Sequence, residues 1–499
     1  DEISEQSQWD LSGLYLSDEK WSSELEALES ELLQYATFQG TLSQSSATLK
    51  ACIEFDMNFS RKLEKLYTFA HLKNDEDKTN SLYQGNFEKA MRLLNEASSA
   101  SSFIRPEIMA IPQDKMTQFL EDKGIEFYKF HLEQILRYRE HTLSDKEEKL
   151  LAASGEMGRA AQNTFDMLDN ADLKLGEIEG EDGEPLSLTH GNFQSLMQSY
   201  DRRIRKDAFH TYYNAYESHR FTYSTLLSAS VKKDLFYSRS RNYSGYRAKS
   251  LFSENIAESV YDNLIGSVHQ NFKPLYKYFD LRKRLLGVDE LHAYDCAVPL
   301  VKNIKWHMPY EEAVEKIKIS LQPLGTEYVE RVGQGLLKDR WTDRYENKGK
   351  RSGAYSSGCY DSNPFILMNY KEDNINSVYT LAHEAGHSMH SLFSRENQPY
   401  LYADYTIFVA EVASTFNESL LTKFFLSQDI DPEMRIYLLC REIDNFRGTL
   451  YRQTMFAEFE HRVYEAAESN QPLTIEAFQE IYKSLLEIYF GPGLVIDDC

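Results

Sequence analysis

The chain has 499 residues, of which 42% are hydrophobic and 27% charged, and its formal net charge is -23. This composition is too apolar for a disordered protein, and the length exceeds what one hydrophobic core usually serves, so we expect at least two lobes. The acidic charge argues against nucleic acid or an anionic membrane as the main partner. Five cysteines without CxxC pairing favour neither a disulfide framework nor a thiolate zinc site.

Targeting and membrane signals are not evident in the sequence. We find no run of 18 or more apolar residues, and the first residues, DEISEQSQWD, lack the layout of a signal peptide. We therefore expect a cytoplasmic protein. The sequence does not indicate its oligomeric state.

Most of the chain has the periodicity of amphipathic helices. The first clear example places four apolar side chains on one face, namely Trp21, Leu25, Leu28 and Leu32. Further along, Ser144 and Glu147 form a capping-box pattern, and Pro309 suits the first turn of another helix. Gly287 and Gly325 are predicted helix stops.

Strand signals are few and fall in two places. The segment Lys174–Leu188 carries an Asp182-Gly183 turn, and an apolar run, PFILMNY, extends from residue 364 to 370. We therefore expect a mainly α fold with a small sheet in each half. In the absence of repeats or obvious linkers, we place a domain boundary between residues 198 and 199, after an N-terminal helical lobe with a small β excursion.

The strongest chemical signal is an HExxH motif at residues 383–387, within a helix predicted to begin near Ser377. In a helix His383 and His387 lie about 40° apart around the axis and about 6 Å apart along it, so both imidazoles can bind one metal ion. Glu384 can then reach a water on that metal. A chain of this composition contains HExxH by chance on the order of 0.03 times, so the motif predicts a metal site.

A catalytic zinc site needs a third protein ligand and an open position. The metzincin pattern would require glycine at 390 and histidine at 393, where this chain has His390 and Phe393. The later run FVAEVASTFNESLL, residues 408–421, predicts a helix with Glu411 in a polar stripe on a largely apolar surface. We expect this carboxylate to be shielded from bulk water and to be the third ligand.

Four other side chains near the motif have more than one interpretation. Asp404 and Glu396 are alternative third ligands in loop-like sequence. Glu418, two turns further along the second helix, could orient a ligand histidine or form a salt bridge to a neighbouring helix. His390 could hold a substrate carbonyl or serve as a structural histidine.

The region around the motif reads LAHEAGHSMHSLFSRENQPYLYADYTIFVAEVASTFNESLL. It resembles the active-site region of the oligoendopeptidase F family, within the thimet oligopeptidase family of zinc metallopeptidases. The resemblance extends to GKRSGAYSSGCYDSNPFILMNY, to FRGTLYRQTMFAEFEH and to the opening WDLSGLY, so it covers nearly the whole chain. It implies two helical lobes flanking a deep substrate channel, small β-sheet elements and a zincin-type active-site helix. It also implies one Zn²⁺ on His383, His387 and Glu411, with Glu384 as general acid/base.

The resemblance carries further expectations about substrate and domain extent. The stretch from Gly353 through Ala354 and Tyr355 to Ser356 is similar to cleft-edge backbone that could pair with an extended substrate, or it is a plain structural strand. The family continues past the equivalent of Cys499, so we expect a catalytic domain at 199–499 that is truncated at its C-terminal end. The implied function is zinc-dependent cleavage of internal bonds in short unfolded oligopeptides. The alternatives are a zinc exopeptidase and a zinc-containing peptide-binding protein without full activity.

Overall fold

The structure is a computed structural model that describes residues 4–302 and 304–497. It is 71% helix and 3% strand, which confirms the predicted mainly α fold with small sheets. Backbone contacts group the chain into two compact units. The first unit runs up to Arg139 and includes Lys305–Ile430, and the second comprises Glu140–Ile304 and the residues from Asp431 onward.

The predicted domain boundary after residue 198 falls within Glu140–Ile304, a single segment of the second unit. Compactness does not test whether a segment folds independently, so the division at residues 198 and 199 stays a prediction. The channel between two lobes also stays a prediction.

The α-helices fall into four groups along the chain, which belong alternately to unit one and unit two. The first segment of unit one contains α1 (Asp18–Glu31), α2 (Tyr35–Phe38), α3 (Ser46–Glu76), α4 (Ser81–Ser101), α5 (Ile104–Ala110), α6 (Gln113–Glu121) and α7 (Lys129–Leu136). Unit two begins with α8 (Asp145–Gly158), α9 (Ala160–Met167), α10 (His190–Leu196), α11 (Arg202–Glu217), α12 (Arg220–Ser240), α13 (Tyr246–Phe252), α14 (Glu258–Gln270) and α15 (Phe272–Leu286). Unit one resumes with α16 (Tyr310–Ser320), α17 (Thr326–Leu337), α18 (Ile375–Asn397) and α19 (Ile407–Ser427). Unit two ends with α20 (Pro432–Phe446), α21 (Gln453–Glu468) and α22 (Ile475–Phe490).

Local sequence signals set several helix ends where the pattern predicts them. The Ser144 N–H donates to Glu147 Oε2 at 3.0 Å in the capping box of α8. Pro309 is the N-cap of α16. Gly287 ends α15 with a left-handed φ of 66°. The other predicted stop, Gly325, lies beyond the end of α16 at Ser320, and with φ of 96° it is the N-cap of α17. Glycine adopts such positive φ values at little cost, so these breaks follow from residue type.

Both predicted sheets are present, and each lies within one unit. In unit two β1 (Glu177–Glu179) pairs antiparallel with β2 (Pro185–Ser187) around the Asp182-Gly183 turn. In unit one β3 (Thr342–Asp343), β4 (Tyr355–Ser357) and β5 (Phe365–Leu367) form a sheet of order β3-β5-β4. β3 runs parallel to β5 and β4 antiparallel to it, so β4 is an edge strand. The two-residue strand β3 is too short to show an alternating pattern, and the sequence did not indicate it.

Helix α18 is the most deeply embedded helix of the candidate site. Val378, Leu381, Ala382, Ala385 and Met389 are at most 1% exposed. The helix packs against α19, α16, α17, β4 and β5. Burial on several sides fixes its rotation about its axis, and this rotation sets where the motif side chains point.

Two further features concern the whole described chain. None of the helices in the described ranges combines the length and apolar character needed to cross a bilayer. Cys52, Cys296, Cys359 and Cys440 are free thiols, and Cys499 lies outside the described residues.

Candidate metal centre

The motif histidines lie on one face of α18, as their spacing predicts. The helix begins at Ile375, two residues before the predicted start, because the Asn374 side chain caps it by accepting a hydrogen bond from the Asn376 N–H. The Nε2 atoms of His383 and His387 are 3.1 Å apart, and their rings are nearly perpendicular at 83°. Two nitrogen lone pairs therefore converge on one point beside the helix.

Helix α19 brings a carboxylate to the same point. Glu411 Oε2 lies 3.3 Å from His383 Nε2 and 3.4 Å from His387 Nε2. Of the two alternative third ligands, Glu396 pairs with Arg331, and Asp404 is exposed outside this cluster. The geometry therefore favours Glu411 over these two residues as the third ligand.

The three donor atoms fit a tetrahedral zinc ion. Zinc bonds of about 2.0–2.1 Å to nitrogen and oxygen at tetrahedral angles place neighbouring ligand atoms about 3.3 Å apart. The observed separations of 3.1, 3.3 and 3.4 Å agree with this spacing. Two imidazoles and one carboxylate are also the donor set of a catalytic zinc site that keeps a fourth position open.

Each motif histidine has a further polar neighbour beside its ring. His383 Nδ1 is 2.8 Å from Glu418 Oε1, and the backbone of Ala410 lies beside the His387 ring and acts to raise its pKa. Such partners fix the tautomer, leaving Nε2 free to bind a metal. Burial acts to lower the pKa of His383, but the hydrogen bond and charge of Glu418 outweigh it and raise this pKa overall. Burial lowers the pKa of His387.

The environment of Glu411 differs from the expectation of a shielded carboxylate. Its side chain is 64% exposed, and one hydroxyl, Ser414 Oγ, donates to its Oε2 at 2.6 Å. Three large apolar residues of the same helix, Phe408, Val412 and Phe416, are each more than half exposed. The expectation was wrong because α19 turns its small polar residues, rather than these apolar ones, towards α18.

The reason is a close contact between the two helix backbones. A Cβ on Gly386 would lie 2.6 Å from Ser414 Cα and 2.8 Å from Ser414 N, so only glycine fits there. Small residues therefore face one another, and Asn417 Nδ2 donates to the Ala382 carbonyl at 3.0 Å on the same side. With Ser414 and Asn417 buried in this contact, the bulky side chains of α19 fall on its opposite face.

Glu384 is the most buried carboxylate of the site, at 7% exposure. The backbone N–H of Ser356, in the edge strand β4, lies beside this carboxylate. Burial raises the pKa of the Glu384 carboxyl, although His383 and the Ser356 N–H act to lower it. A carboxylate with a raised pKa holds a proton more readily, which suits a group that must take up a proton and release it.

The predicted substrate stretch at 353–355 is joined to the site through β4. Gly353 has a positive φ of 85° and Asn369 Nδ2 donates to its carbonyl at 2.7 Å, so the turn before the strand is fixed. Ala354 follows, and β4 begins at Tyr355. The Tyr355 side chain does not face α18: its hydroxyl donates to Asp75 Oδ2 at 2.8 Å. The side chain of Tyr355 therefore anchors the strand, whereas the strand's outer edge lies beside the site.

His390 lies one turn beyond the motif. Its ring stacks on Tyr405 with centroids 3.7 Å apart, and Nδ1 has no hydrogen-bond partner among the described residues. Burial lowers its pKa. These contacts leave its predicted role in substrate binding untested.

The sequence did not single out Ser388, Ala410 or Asn417, and it placed Ser356 in the cleft-edge stretch and Ser414 in a polar stripe without giving either a separate role. The position of Ser414 in the polar stripe of α19 was a usable signal. Ala410 acts through its backbone carbonyl and Ser356 through its backbone amide, and a side-chain pattern cannot indicate either contact.

Comparisons with known proteins point to peptidases. The sequence model described as peptidase family M3 matches residues 195–498, and the one described as oligopeptidase F matches residues 107–174. Oligopeptidase PepF of Bacillus subtilis is 43% identical over 497 residues, which cover 99% of this chain and 74% of that protein. A crystal structure of a Chlamydophila abortus protein assigned as a peptidase is 36% identical, with a TM-score of 0.94 over 99% of this chain and 83% of that one. The oligoendopeptidase-F structure from Enterococcus faecium is 36% identical, with a TM-score of 0.68 over 96% and 81%.

Proposed function

The chain belongs to peptidase family M3, and from this premise we propose that it is a zinc-dependent endopeptidase acting on short unfolded oligopeptides. The observation that carries the proposal is the convergence of His383, His387 and Glu411 at tetrahedral spacing, with buried Glu384 on the same helix as the two histidines. The preference for oligopeptides is supported by the names of relatives, which describe an oligopeptidase and an oligoendopeptidase.

The proposed chemistry assigns each residue one task. When bound, zinc would supply a Lewis acid and lower the pKa of a water towards about 7. Glu384 accepts the proton of the attacking water on its carboxylate and later delivers it to the leaving amine. Glu418 and the Ala410 carbonyl keep the two imidazoles in the tautomer that leaves Nε2 unprotonated. Neither ligand histidine therefore has to give up a proton at Nε2 before it binds the metal.

The edge strand offers a way to hold the substrate backbone. β4 pairs with β5 on one side only, so a peptide could add to its other side. Gly353 and Ala354 supply backbone groups just before the strand, and Tyr355 keeps the strand in place through Asp75. We propose that this backbone, rather than the Tyr355 side chain, aligns the substrate beside Glu384. The cytoplasmic location stays a prediction.

A length series of internally quenched peptides tests the proposed function. We expect internal cuts in short peptides, no cleavage of folded proteins, complete loss of activity with a chelator, and recovery on adding zinc, because the base alone cannot activate water sufficiently. Product masses and initial rates give the measurement. Stepwise removal of terminal residues would instead identify an exopeptidase, and zinc-dependent binding without hydrolysis would identify a peptide-binding protein.

Glu418→Gln is expected to weaken zinc binding by about 10- to 100-fold, because it removes the negative charge that orients His383 and makes it a better ligand. Chelator competition gives the metal affinity. Glu458→Gln is a matched control, since His269 Nε2 is 2.7 Å from Glu458 Oε2 in the second unit, and it should leave zinc affinity unchanged. Equal zinc affinities in Glu418→Gln and the unsubstituted protein would assign Glu418 to a structural salt bridge.

A further inference from the structure

Ser356 lies against two residues of α18 that are one helical turn apart. Its Oγ lies 2.8 Å from Ser388 Oγ, and its backbone N–H lies beside the Glu384 carboxylate and acts to lower the pKa of that group. Glu384 and Ser388 are four residues apart and therefore share one face of the helix. Ser388 is fully buried, so its hydroxyl has no solvent to compete for this bond.

The other face of the strand is fixed as well. Successive side chains of a strand point to opposite faces, so Tyr355 points away from the face that Ser356 presents to α18. The Tyr355 hydroxyl bonds to Asp75, which is 0% exposed and is also held by Lys78 at 2.5 Å and Arg351 at 3.1 Å. A charged group buried among these partners is expensive to displace. β4 is therefore held between α3 on one side and α18 on the other.

We propose that Ser356 and Ser388 are positioning residues for Glu384. The hydroxyl pair sets the register of β4 against α18, and this register aims the Ser356 amide at the carboxylate. The amide then restricts the directions in which the carboxylate can face the reacting water. The proposal rests on the proposed role of Glu384 as general base, and it adds the group that orients that base.

Removing either hydroxyl should impair turnover rather than substrate binding. A displacement of about 1 Å in a catalytic group can lower the rate on the order of 100-fold. Loss of one orienting contact should cause a smaller displacement, so we expect kcat to fall about tenfold in Ser388→Ala. KM should change less than twofold and zinc affinity should not change. Ser356→Ala should behave alike, and the double variant should be no slower than either single variant, because both substitutions break the same bond.

Ser154→Ala is the matched control. Ser154 Oγ lies 2.8 Å from Tyr237 OH, the same kind of hydroxyl pair at the same distance, within the second unit. We expect its kcat to match that of the unsubstituted protein. Melting temperatures of all variants show whether a loss of activity follows from unfolding.

Two further measurements separate positioning from general damage. In a Glu384→Gln background, Ser388→Ala should cause no additional loss, because the base through which it acts is already gone. In the metal-free protein, the Ser356 amide should exchange hydrogen about tenfold faster in Ser388→Ala than in Ser154→Ala, since its acceptor is no longer aligned.

The outcomes decide between three results. The positioning role would be overturned if Ser388→Ala reduced kcat further in the Glu384→Gln background. It would also be overturned by a rise in KM at constant kcat or by unchanged amide exchange at Ser356. Normal activity of Glu384→Gln itself would instead refute the proposed function. A kcat loss that occurs only with Glu384 present, together with faster Ser356 exchange, is the result expected from positioning.

Discussion

Glu384→Gln should retain zinc and lose about 10⁴-fold in kcat, the upper end of what a general base contributes. Glutamine keeps the volume and can still accept the Ser356 N–H through its amide oxygen, so β4 and α18 should stay in place. The amide cannot take up a proton near neutral pH, and the attacking water therefore stays neutral. Single-turnover rates on a quenched peptide, with metal content measured on the same sample, give both quantities.

The control for this substitution is Glu64→Gln in α3. Burial raises the pKa of Glu64 as it does that of Glu384, but Glu64 is not part of the metal cluster. We expect Glu64→Gln to retain normal kcat and zinc content. Normal peptide cleavage by Glu384→Gln would exclude Glu384 as the base, whereas loss of zinc from this variant would show that its effect is structural.

The parts of the site that follow from local geometry could be predicted from the sequence. His383, Glu384 and His387 lie within five residues of one helix, so the 3.6-residue period alone fixes their relative directions. The pattern of α19 also singled out Glu411, because this carboxylate lies in a polar stripe at helical spacing on a largely apolar helix. Short-range periodicity carries this information without reference to the rest of the fold.

The parts that depend on contacts between distant segments could not be predicted in the same way. The approach of the Ser356 amide to Glu384 brings together residues 28 apart through a backbone group, and no side-chain pattern indicates it. The exposure of Phe408, Val412 and Phe416 likewise depends on which face of α19 meets α18. That choice is made by Gly386, which occupies a position that the HExxH motif itself leaves open to any residue.

Gly386→Ala should therefore weaken zinc binding by about 100-fold or more. The new Cβ would meet Ser414 Cα at 2.6 Å and Ala413 O at 2.8 Å. Both atoms belong to the backbone, so no rotamer change relieves the overlap and α19 must move away as a unit. This movement carries Glu411 and Glu418 together away from the two histidines. The metal site therefore loses one ligand and one orienting partner at the same time. Chelator competition measures the zinc affinity.

Protein stability is expected to respond less than metal affinity to this substitution. Alanine favours a helix over glycine by about 1 kcal/mol, whereas overpacking of a tight contact costs about 1–3 kcal/mol, so the two effects partly cancel in the free energy of unfolding. Gly85→Ala isolates the first effect, because Gly85 lies within α4 and a Cβ there meets no atom within 4 Å. It should raise the midpoint of urea unfolding and leave zinc affinity unchanged. If Gly386→Ala also kept full zinc affinity, the spacing of the two helix backbones would not be what assembles the metal site.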